Sequence, residues 1–524
     1  MDKSKQNAVE RAVKGAGILV ICSLIAKILS ALYRVPYQNL VGDQGFFVYQ
    51  QVYPIYGIAM MLALNGFPLF ISKIIAETKD EEEVKSILQM IFFFLSIVSV
   101  GLFLLTFFGA EVIARLMGQI LLKPLVQVSA FTFLLVPFLS IFRGTFQGRL
   151  EMAPTGVSQM LEQFIRVAII WLAAFLFAQN SIGMYETGQL AMSGSLVGGI
   201  VGIGILMYYA RKTGLIPAFI GLGFFKKRNQ SLKNILGRML MEGGTLSIYS
   251  GFLILLQLVD SFTVKDALVT YGMSELAAEV QKGIYDRAQP IVQLALVIGF
   301  SLTSGFLPIL AKAFVSRDVQ QFDKEVKLFT KLSFMFAAAA TVGLIGILPW
   351  VNHTLFQNNQ LSGTISVFLL SVFFMIMIQT YQSIFQSKGR YKLTLMAAGI
   401  GFLFKFFSNY PLTARLGAIG SSLATVLSLA IILLILWIVG KDYRLEMGFV
   451  GKIGLSLVGM GIVLILFRIF LPVFDSRMLT LLSSIFISLI GAGVFMVLLL
   501  KVKAFSKEEL RNVPFLNKFA NFEK

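Results

Sequence analysis

Ionisable residues interrupt several long apolar stretches of this sequence, and their chemistry is its most informative feature. The segment KGIYDRAQPIVQLALVIGF, residues 282–300, places Asp286 and Arg287 directly before an apolar run. A base facing lipid at mid-membrane depth costs roughly 3 kcal/mol, so seven of them would cost on the order of 20 kcal/mol. The bases in or near predicted spans, which must therefore avoid lipid, are Lys27, Arg34, Arg143, Arg166, Arg287, Lys405 and Arg468.

Few acidic residues accompany these bases in the predicted spans, so the interior is expected to carry surplus positive charge. A basic pocket of low dielectric constant favours an anion, and guanidinium groups suit phosphates in particular. A cation or drug antiporter would instead need acidic residues in its interior. The pattern thus predicts a negatively charged substrate. The accompanying acids are Glu162, Glu242, Asp260 and Asp286.

Arg34 and Arg287 are the first candidates for contact with this substrate, because each lies near a proline in the outer part of its span. Lys27, Lys405 and Arg166 complete the predicted set of substrate-binding bases. Some of the charges have simpler interpretations, which stay open beside the functional one.

Three of these structural alternatives concern arginines. Arg166 follows Glu162 by four residues, a spacing at which the two side chains can pair on one helix. Arg143 and Arg468 can reach a membrane interface through their long side chains. Glu242, at the mouth of its span, is expected to be solvated.

Asp260 and Asp286 are the candidates for coupling transport to a proton or a sodium ion. For Asp260 a passive ion pair with a nearby base is the equal alternative. Asp286 adjoins Arg287 but points about 100° away around a helix, so it is not automatically the partner of that arginine. Cys22 and His353 are single residues of their types, so no Cys/His metal site is expected, and no cofactor is required.

The composition indicates the elements that must position these residues. Hydrophobic residues make up 57% of the 524 residues and charged residues 14%, far from the mixture typical of soluble domains. Apolar stretches long enough to cross ~30 Å of hydrocarbon recur along the chain, which predicts an all-α integral membrane protein. The fourteen predicted spans are 17–35, 47–71, 87–108, 125–146, 157–177, 190–209, 240–264, 285–310, 328–348, 365–385, 393–410, 418–439, 453–470 and 479–500.

The distribution of lysine and arginine predicts the orientation of these spans. Basic residues cluster before the first span, between the sixth and seventh, and after the last, so both termini are expected on the cytoplasmic side. The net charge of +18 is then largely a positive-inside bias. A nucleic-acid surface is the alternative for so basic a chain, and it is disfavoured because the charges follow the topology.

An internal repeat divides the chain into two halves. The stretch beginning at Tyr49 aligns with the one beginning at Tyr285, with Pro54 opposite Pro290, and further on Arg166 falls opposite Lys405. Six spans in each half predict two pseudo-symmetric lobes related by an axis along the membrane normal. The predicted parts are an N-lobe at 1–215, a basic amphipathic linker at 216–239, a C-lobe at 240–440, two further helices at 441–501 and a cytoplasmic tail at 502–524.

Three motifs resemble one transporter family. The segments RGTFQGRLEMAPTGVSQMLEQFIRV at 143–167, YDRAQPIVQLALVIGFSLTSGFLPILA at 285–311 and IAKILSALYRVP at 25–36 are similar to the polysaccharide-transporter branch of the multidrug/oligosaccharidyl-lipid/polysaccharide (MOP) exporter superfamily. That branch contains stage V sporulation protein B and the Gram-positive MurJ lipid II flippases. The resemblance covers essentially the full length.

The resemblance implies a non-enzymatic flippase in a bacterial cell membrane, with two six-helix lobes around a cationic cavity and the last two helices lining a groove for a lipid tail. Its implied substrate is a polyprenyl-pyrophosphate-linked oligosaccharide, with lipid II first, and its implied partners are membrane lipids and possible cell-wall synthesis proteins. The family's basic positions carry over to Lys27, Arg34 and Arg287. Lys27 departs from the family's usual arginine and lacks the bidentate fork.

The alternatives are a flippase for another envelope glycan, a cation-coupled antiporter, and a scaffold that transports nothing. A scaffold would tolerate loss of Arg34 and Arg287, whereas an antiporter would raise resistance to cationic dyes. An inside-negative membrane potential favours outward movement of an anion by ~2.3 kcal/mol per charge per 100 mV, which makes it a candidate driving force.

Overall fold

A computed structural model describes residues 3–215 and 229–506 together with residue 509. Every regular element in these ranges is helical, as the sequence predicts. The α-helices are α1 (Lys3–Leu32), α2 (Arg34–Met61), α3 (Phe67–Glu77), α4 (Glu81–Phe108), α5 (Ala110–Leu116), α6 (Lys123–Gly148), α7 (Ala153–Ala178), α8 (Met184–Thr213), α9 (Asn229–Arg238), α10 (Gly244–Ser250), α11 (Phe252–Thr270), α12 (Glu275–Tyr285), α13 (Ala288–Val315), α14 (Val319–Phe356), α15 (Ser362–Ser387), α16 (Tyr391–Leu416), α17 (Ala418–Val439), α18 (Met447–Phe470) and α19 (Arg477–Lys501).

The described residues contain twelve helical stretches that are long and apolar enough to cross a membrane. All fourteen predicted spans are largely helical, with breaks at Tyr33, at Gly251 and at residues 286–287, but the predicted number is not confirmed. One stretch, Gly17–Glu77, contains the first two predicted spans. The predicted seventh span is divided among shorter helices at Gly251, so no single long helix covers it.

The chain packs as two compact units. The first comprises Met1–Pro290 and Tyr391–Ala424, and the second Ile291–Arg390 and Thr425–Lys524. A core rich in tyrosine and phenylalanine from α2, α6, α7 and α8 stabilises the first unit. In the second unit, α14, α18 and α19 pack around Trp350, Met460 and Leu464.

Two predicted segments lie largely outside the described residues. They are the basic linker at 216–239 and the cytoplasmic tail at 502–524. The predicted lobe boundaries at 1–215, 240–440 and 441–501 stay predictions.

Local sequence signals explain where several helices begin and end. Asp80 caps α4 by accepting a hydrogen bond from the backbone N–H of Glu82 at 3.1 Å, and three glutamates follow in the first turn, where they favour the positive end of the helix dipole. At the C-terminal end of α8, Gly214 adopts a left-handed conformation with a φ of 71°. Glycine in this conformation commonly ends a helix. Polar and glycine residues thus punctuate the apolar runs.

The second predicted span bends through a π-helical turn. Residues Leu62–Gly66 form this turn between α2 and α3, and a second such turn, Met239–Gly243, joins α9 to α10. Gly66 packs so closely on α10 that an added Cβ would lie 1.6 Å from Ser247 Oγ. The absence of a side chain at Gly66 therefore permits the first turn to contact α10.

Candidate functional site

Two buried arginines and four tyrosines form an arginine–tyrosine cluster in the first unit. Its members are Arg34, Arg166, Tyr33, Tyr49, Tyr53 and Tyr56. Arg166, on α7, donates from Nη2 to the hydroxyls of Tyr33 and Tyr49, each at 2.9 Å, and from Nη1 to Gln163 Oε1 at 3.1 Å and Tyr56 at 3.3 Å. Its guanidinium carbon also lies 4.4 Å from the ring centre of Tyr56. Phenol oxygens and aromatic faces thus surround this cation.

Arg34 lies beside Arg166 in the same cluster, at the first position of α2. Its guanidinium carbon is 4.6 Å from the ring centre of Tyr53, and Nε donates to Tyr33 at 3.4 Å. The side chain is fully buried, yet Nη1 and Nη2 have no hydrogen-bond partner. Two strong donor groups of Arg34 therefore stand unused in this conformation.

No carboxylate neutralises the arginine–tyrosine cluster within the described part of the chain. Neither Arg34 nor Arg166 forms an ion pair there, although their exposures are only 0% and 1%. A buried cation without a counter-charge is unfavourable, and cation–π contacts offset only part of that cost. Such an arrangement favours an incoming anion, as the sequence predicts.

The predicted pair of Glu162 and Arg166 is wrong. Glu162 instead accepts a hydrogen bond at 2.7 Å from Nη2 of Arg143 on α6, and both side chains are buried. Arg143 also donates from Nη1 to the carbonyl of Ala63, in the π-helical turn, at 3.2 Å. The expectation that Arg143 reaches an interface is therefore wrong as well. Because Glu162 pairs with Arg143, the guanidinium group of Arg166 contacts the tyrosines instead. Arg468, by contrast, is exposed at the end of α18.

Arg287 is engaged by a carboxylate that the sequence interpretation assigned to a loop. Its Nη2 lies 2.6 Å from Oδ1 of Asp43, which directly follows the kink of α2 at Gly42. Asp286 pairs not with Arg287 but with Lys282, whose Nζ lies 2.6 Å from both carboxylate oxygens. The positive charge of Arg287 is thus largely balanced here, unlike that of Arg34.

Close packing of α12 on α2 brings these residues together. A Cβ added to Gly283 would lie 2.0 Å from the carbonyl oxygen of Asp43 and 2.9 Å from its carbonyl carbon. Both contacts are with backbone, so no side-chain rotation can relieve them. The glycine is therefore required for the contact between the two helices.

Replacing Gly283 with alanine is expected to lower the apparent Tm of the purified protein. The helices must separate, and overpacking of this kind costs about 1–3 kcal/mol. Gly399→Ala is the matched control, because a Cβ at this helical position meets nothing within 4 Å and alanine favours helix. Equal melting temperatures for Gly283→Ala and wild type would contradict the close contact.

The coupling candidate Asp260 lies in a second buried polar cluster. Its Oδ1 is 2.6 Å from Nζ of Lys405, and it accepts hydrogen bonds from Asn409 at 3.0 Å and Ser421 at 2.9 Å. Tyr285 donates to Oδ2 at 3.2 Å. Helices α11, α12, α16 and α17 contribute these residues. The alternative of an ion pair for Asp260 is the arrangement observed.

The predicted repeat positions have related surroundings. Arg166 contacts Tyr49 directly, whereas Lys405 and Tyr285, which align with them, are joined through Asp260. The two positions differ in charge balance: Asp260 forms an ion pair with Lys405, whereas no carboxylate in the described ranges forms one with Arg166. Equivalent bases thus carry different net charges in their clusters.

The sequence interpretation missed the tyrosines and two acids. Tyr49, Tyr53 and Tyr56 follow one another at i, i+4 and i+7, which places them on one helical face; this spacing was the available signal. Asp43 and the buried Glu279, which accepts from Gln44 and Gln119 at 2.9 Å, fell in presumed loops. Lys27 lies on α1 with an exposed side chain.

Glu242 is not solvated as predicted. It lies 2.6 Å from Nζ of Lys73 and 2.7 Å from Nε of Arg238, and Arg238 also contacts Glu77 at 2.8 Å. These ion pairs join α3 to the second π-helical turn. Of the two partner bases of Glu242, Lys73 comes from a segment distant in sequence, whereas Arg238 lies only four residues before Glu242.

Twelve apolar stretches of membrane-spanning length in the described residues, with Arg34 and Arg166 buried among them, are the features of an integral membrane protein with a polar interior. The chain belongs to the family described as polysaccharide biosynthesis protein, which matches residues 12–314. Its curated relatives include a lipid II flippase and a stage V sporulation protein B, which confirms the predicted resemblance to the branch that contains them.

Two relatives from Bacillus subtilis (strain 168) illustrate this membership. The uncharacterised membrane protein YabM is 35% identical over 97% of this chain and 96% of its own. The lipid II flippase MurJ is 23% identical over 80% of each chain. YabM therefore establishes the family, but it is uncharacterised and indicates no substrate.

Solved structures show the fold. A lipid II flippase MurJ in an inward closed conformation matches with a TM-score of 0.63 and 18% identity over 91% of this chain and 98% of its own. An inward-facing multidrug resistance MATE family transporter of the MOP superfamily matches with a TM-score of 0.62 and 15% identity over 79% and 94%. This is a multi-span membrane protein with the MurJ-like fold.

Proposed function

We propose that this protein is a flippase that moves a polyprenyl-pyrophosphate-linked oligosaccharide from the inner to the outer leaflet of a bacterial membrane, with lipid II as the first candidate. The arginine–tyrosine cluster carries the proposal, because it buries two guanidinium groups that form no ion pair with any carboxylate among the described residues. A pyrophosphate offers the oxygen acceptors that Nη1 and Nη2 of Arg34 lack.

The same cluster explains how an anionic head group crosses hydrocarbon. An unpaired charge pays a large desolvation cost in lipid, whereas fixed guanidinium donors replace its hydration. Since the cluster is buried in this conformation, the head group reaches it only when the surrounding helices separate. Alternating access supplies that separation, with both termini on the cytoplasmic side, while the polyprenyl tail stays in lipid. Lys27 and Arg287 are proposed to contact the head group along the way.

A cation-coupled antiporter is the second candidate, supported by the similarity to a MATE transporter fold. That function needs acidic residues available to an external cation. The buried carboxylates of Glu162, Asp260 and Asp286 each pair with a lysine or arginine, which favours the anionic substrate.

The test is reconstitution of the purified full-length protein into vesicles with fluorescent lipid II. Flipping is measured as the fraction of label that becomes inaccessible to a membrane-impermeant quencher, and empty vesicles provide the control. We expect the protein to accelerate flipping of lipid II. Transfer of another polyprenyl-pyrophosphate glycan but not lipid II would retain the class and reject the first candidate.

The other functions give different results in the same vesicles. Uptake of a cationic dye driven by a proton or sodium gradient, without lipid flipping, would establish the antiporter. A monodisperse protein that moves none of these compounds would indicate a scaffold for envelope synthesis. Complementation of cells depleted of their lipid II flippases extends the test to the native membrane.

A further inference from the structure

The ammonium of Lys405 lies in a cage of oxygen atoms. Nζ is 2.6 Å from Asp260 Oδ1, 2.8 Å from Asn409 Oδ1, 3.2 Å from the carbonyl oxygen of Ser421 and 3.4 Å from its hydroxyl. All four residues are essentially inaccessible to solvent. We call Asp260, Asn409 and Ser421 the Lys405 cage.

The ligand types of this cage are those that hold a small hard cation. A carboxylate, an amide carbonyl, a backbone carbonyl and a hydroxyl converge on one point, and such oxygen donors suit alkali and alkaline-earth ions. A lysine ammonium is a compact point charge, unlike the planar guanidinium at the aligned position of Arg166. It can therefore fill a site with the dimensions of a single ion.

Neighbouring groups keep the cage oriented toward this cation. The amide nitrogen of Asn409 donates to Asp260 at 3.0 Å and to Thr263 at 2.6 Å, which leaves its oxygen directed at Lys405. Tyr285 donates to the second carboxylate oxygen of Asp260. The carboxylate and amide oxygens are thus held by bonds that do not involve the lysine.

We propose that the Lys405 side chain is a built-in monovalent cation, occupying an oxygen site that would otherwise bind sodium. The native chain therefore takes up no external cation at Asp260, and loss of the amine opens a sodium site there. This inference does not depend on the identity of the transported lipid. It also removes Asp260 as a sodium-coupling residue in the wild-type protein.

The test measures apparent Tm in detergent with sodium chloride or choline chloride at constant ionic strength. Wild type is expected to melt at the same temperature in both salts. Lys405→Ala leaves the carboxylate and the space of the amine, so sodium binding is expected to raise its Tm by about 2 °C or more relative to choline. No transported substrate is needed.

Two control variants separate cation binding from a change in packing. Lys405→Met fills the space of the side chain, and Asp260→Asn with Lys405→Ala removes the carboxylate, so neither should respond to sodium. A folded Lys405→Ala protein that is insensitive to sodium would overturn the proposal. The proposal would also be overturned if sodium raised the Tm of the wild-type protein and Asp260→Asn abolished that effect. If Lys405→Ala does not fold, this comparison of wild type with Asp260→Asn is the deciding measurement.

Discussion

Replacement of Arg166 by methionine is expected to lower the rate of the proposed lipid flipping by roughly 10- to 100-fold. The substitution removes one of the two positive charges that the arginine–tyrosine cluster offers to an anion, and a 10- to 100-fold change in rate corresponds to about 1.4–2.7 kcal/mol of that attraction. The rate is measured in vesicles that contain equal amounts of monodisperse protein. Arg166 matters more than Arg287 here, because Asp43 already balances the charge of Arg287.

Two further variants identify the cause of that loss. Arg166→Lys retains the charge but not the fork, and we expect it to restore part of the rate, which a role in packing alone would not produce. Arg468→Met removes an exposed arginine at the end of α18 and should leave the rate unchanged. Wild-type flipping by Arg166→Met would show that the substrate phosphates bind elsewhere.

Removal of either partner of the buried pair between Arg143 and Glu162 is expected to give the largest loss of stability. Arg143→Met or Glu162→Gln leaves an uncompensated buried charge, which costs about 3–5 kcal/mol. The double variant removes both charges and should recover much of the lost Tm. Thermal unfolding of the four proteins in one detergent measures this recovery as a coupling between the two sites.

An exposed pair provides the comparison for this prediction. In α5, Glu111 accepts hydrogen bonds at 2.9 Å from Lys123 and Arg115, which lower the pKa of its carboxyl below the ordinary value. Because the pair of Arg115 and Glu111 is exposed to solvent, Arg115→Met should leave the Tm unchanged. Equal effects at Arg115 and Arg143 would mean that burial of the Arg143 pair is not what stabilises it.

Much of the helical architecture follows from the sequence, because apolar stretches of membrane-spanning length leave the backbone little alternative. The buried bases were predictable for a related reason: a charge inside a span is too costly to be there without a partner or a role. Arg34 and Arg166 illustrate this success, since both are buried and lack an acid within the described residues.

The partners of these bases were not predictable from spacing alone. Glu162 has Arg166 four residues away on its own helix, yet it pairs with Arg143 from α6. The choice depends on how α6 packs against α7, which one sequence does not specify. Asp43 was missed because the segment interpreted as a loop is reduced to a kink at Gly42, with φ of 73° and ψ of 179°, so that Asp43 already lies in helix. The first error arose from how two helices pack and the second from where the helical residues begin, and residue type specifies neither.

The π-helical turn at Leu62–Gly66 has a consequence for how the whole segment from α2 to α3 is interpreted. Such a turn accommodates one residue more than an α-helical turn, which advances the angular phase of everything beyond it by about 100°. Lys73 and Glu77 meet Arg238 and Glu242 with that advanced phase. A helical wheel drawn continuously from Asp43, just after the kink at Gly42, to Glu77 would superimpose two faces that belong to different interfaces. A relative with one residue fewer in this turn would present another side of α3 to the same neighbours.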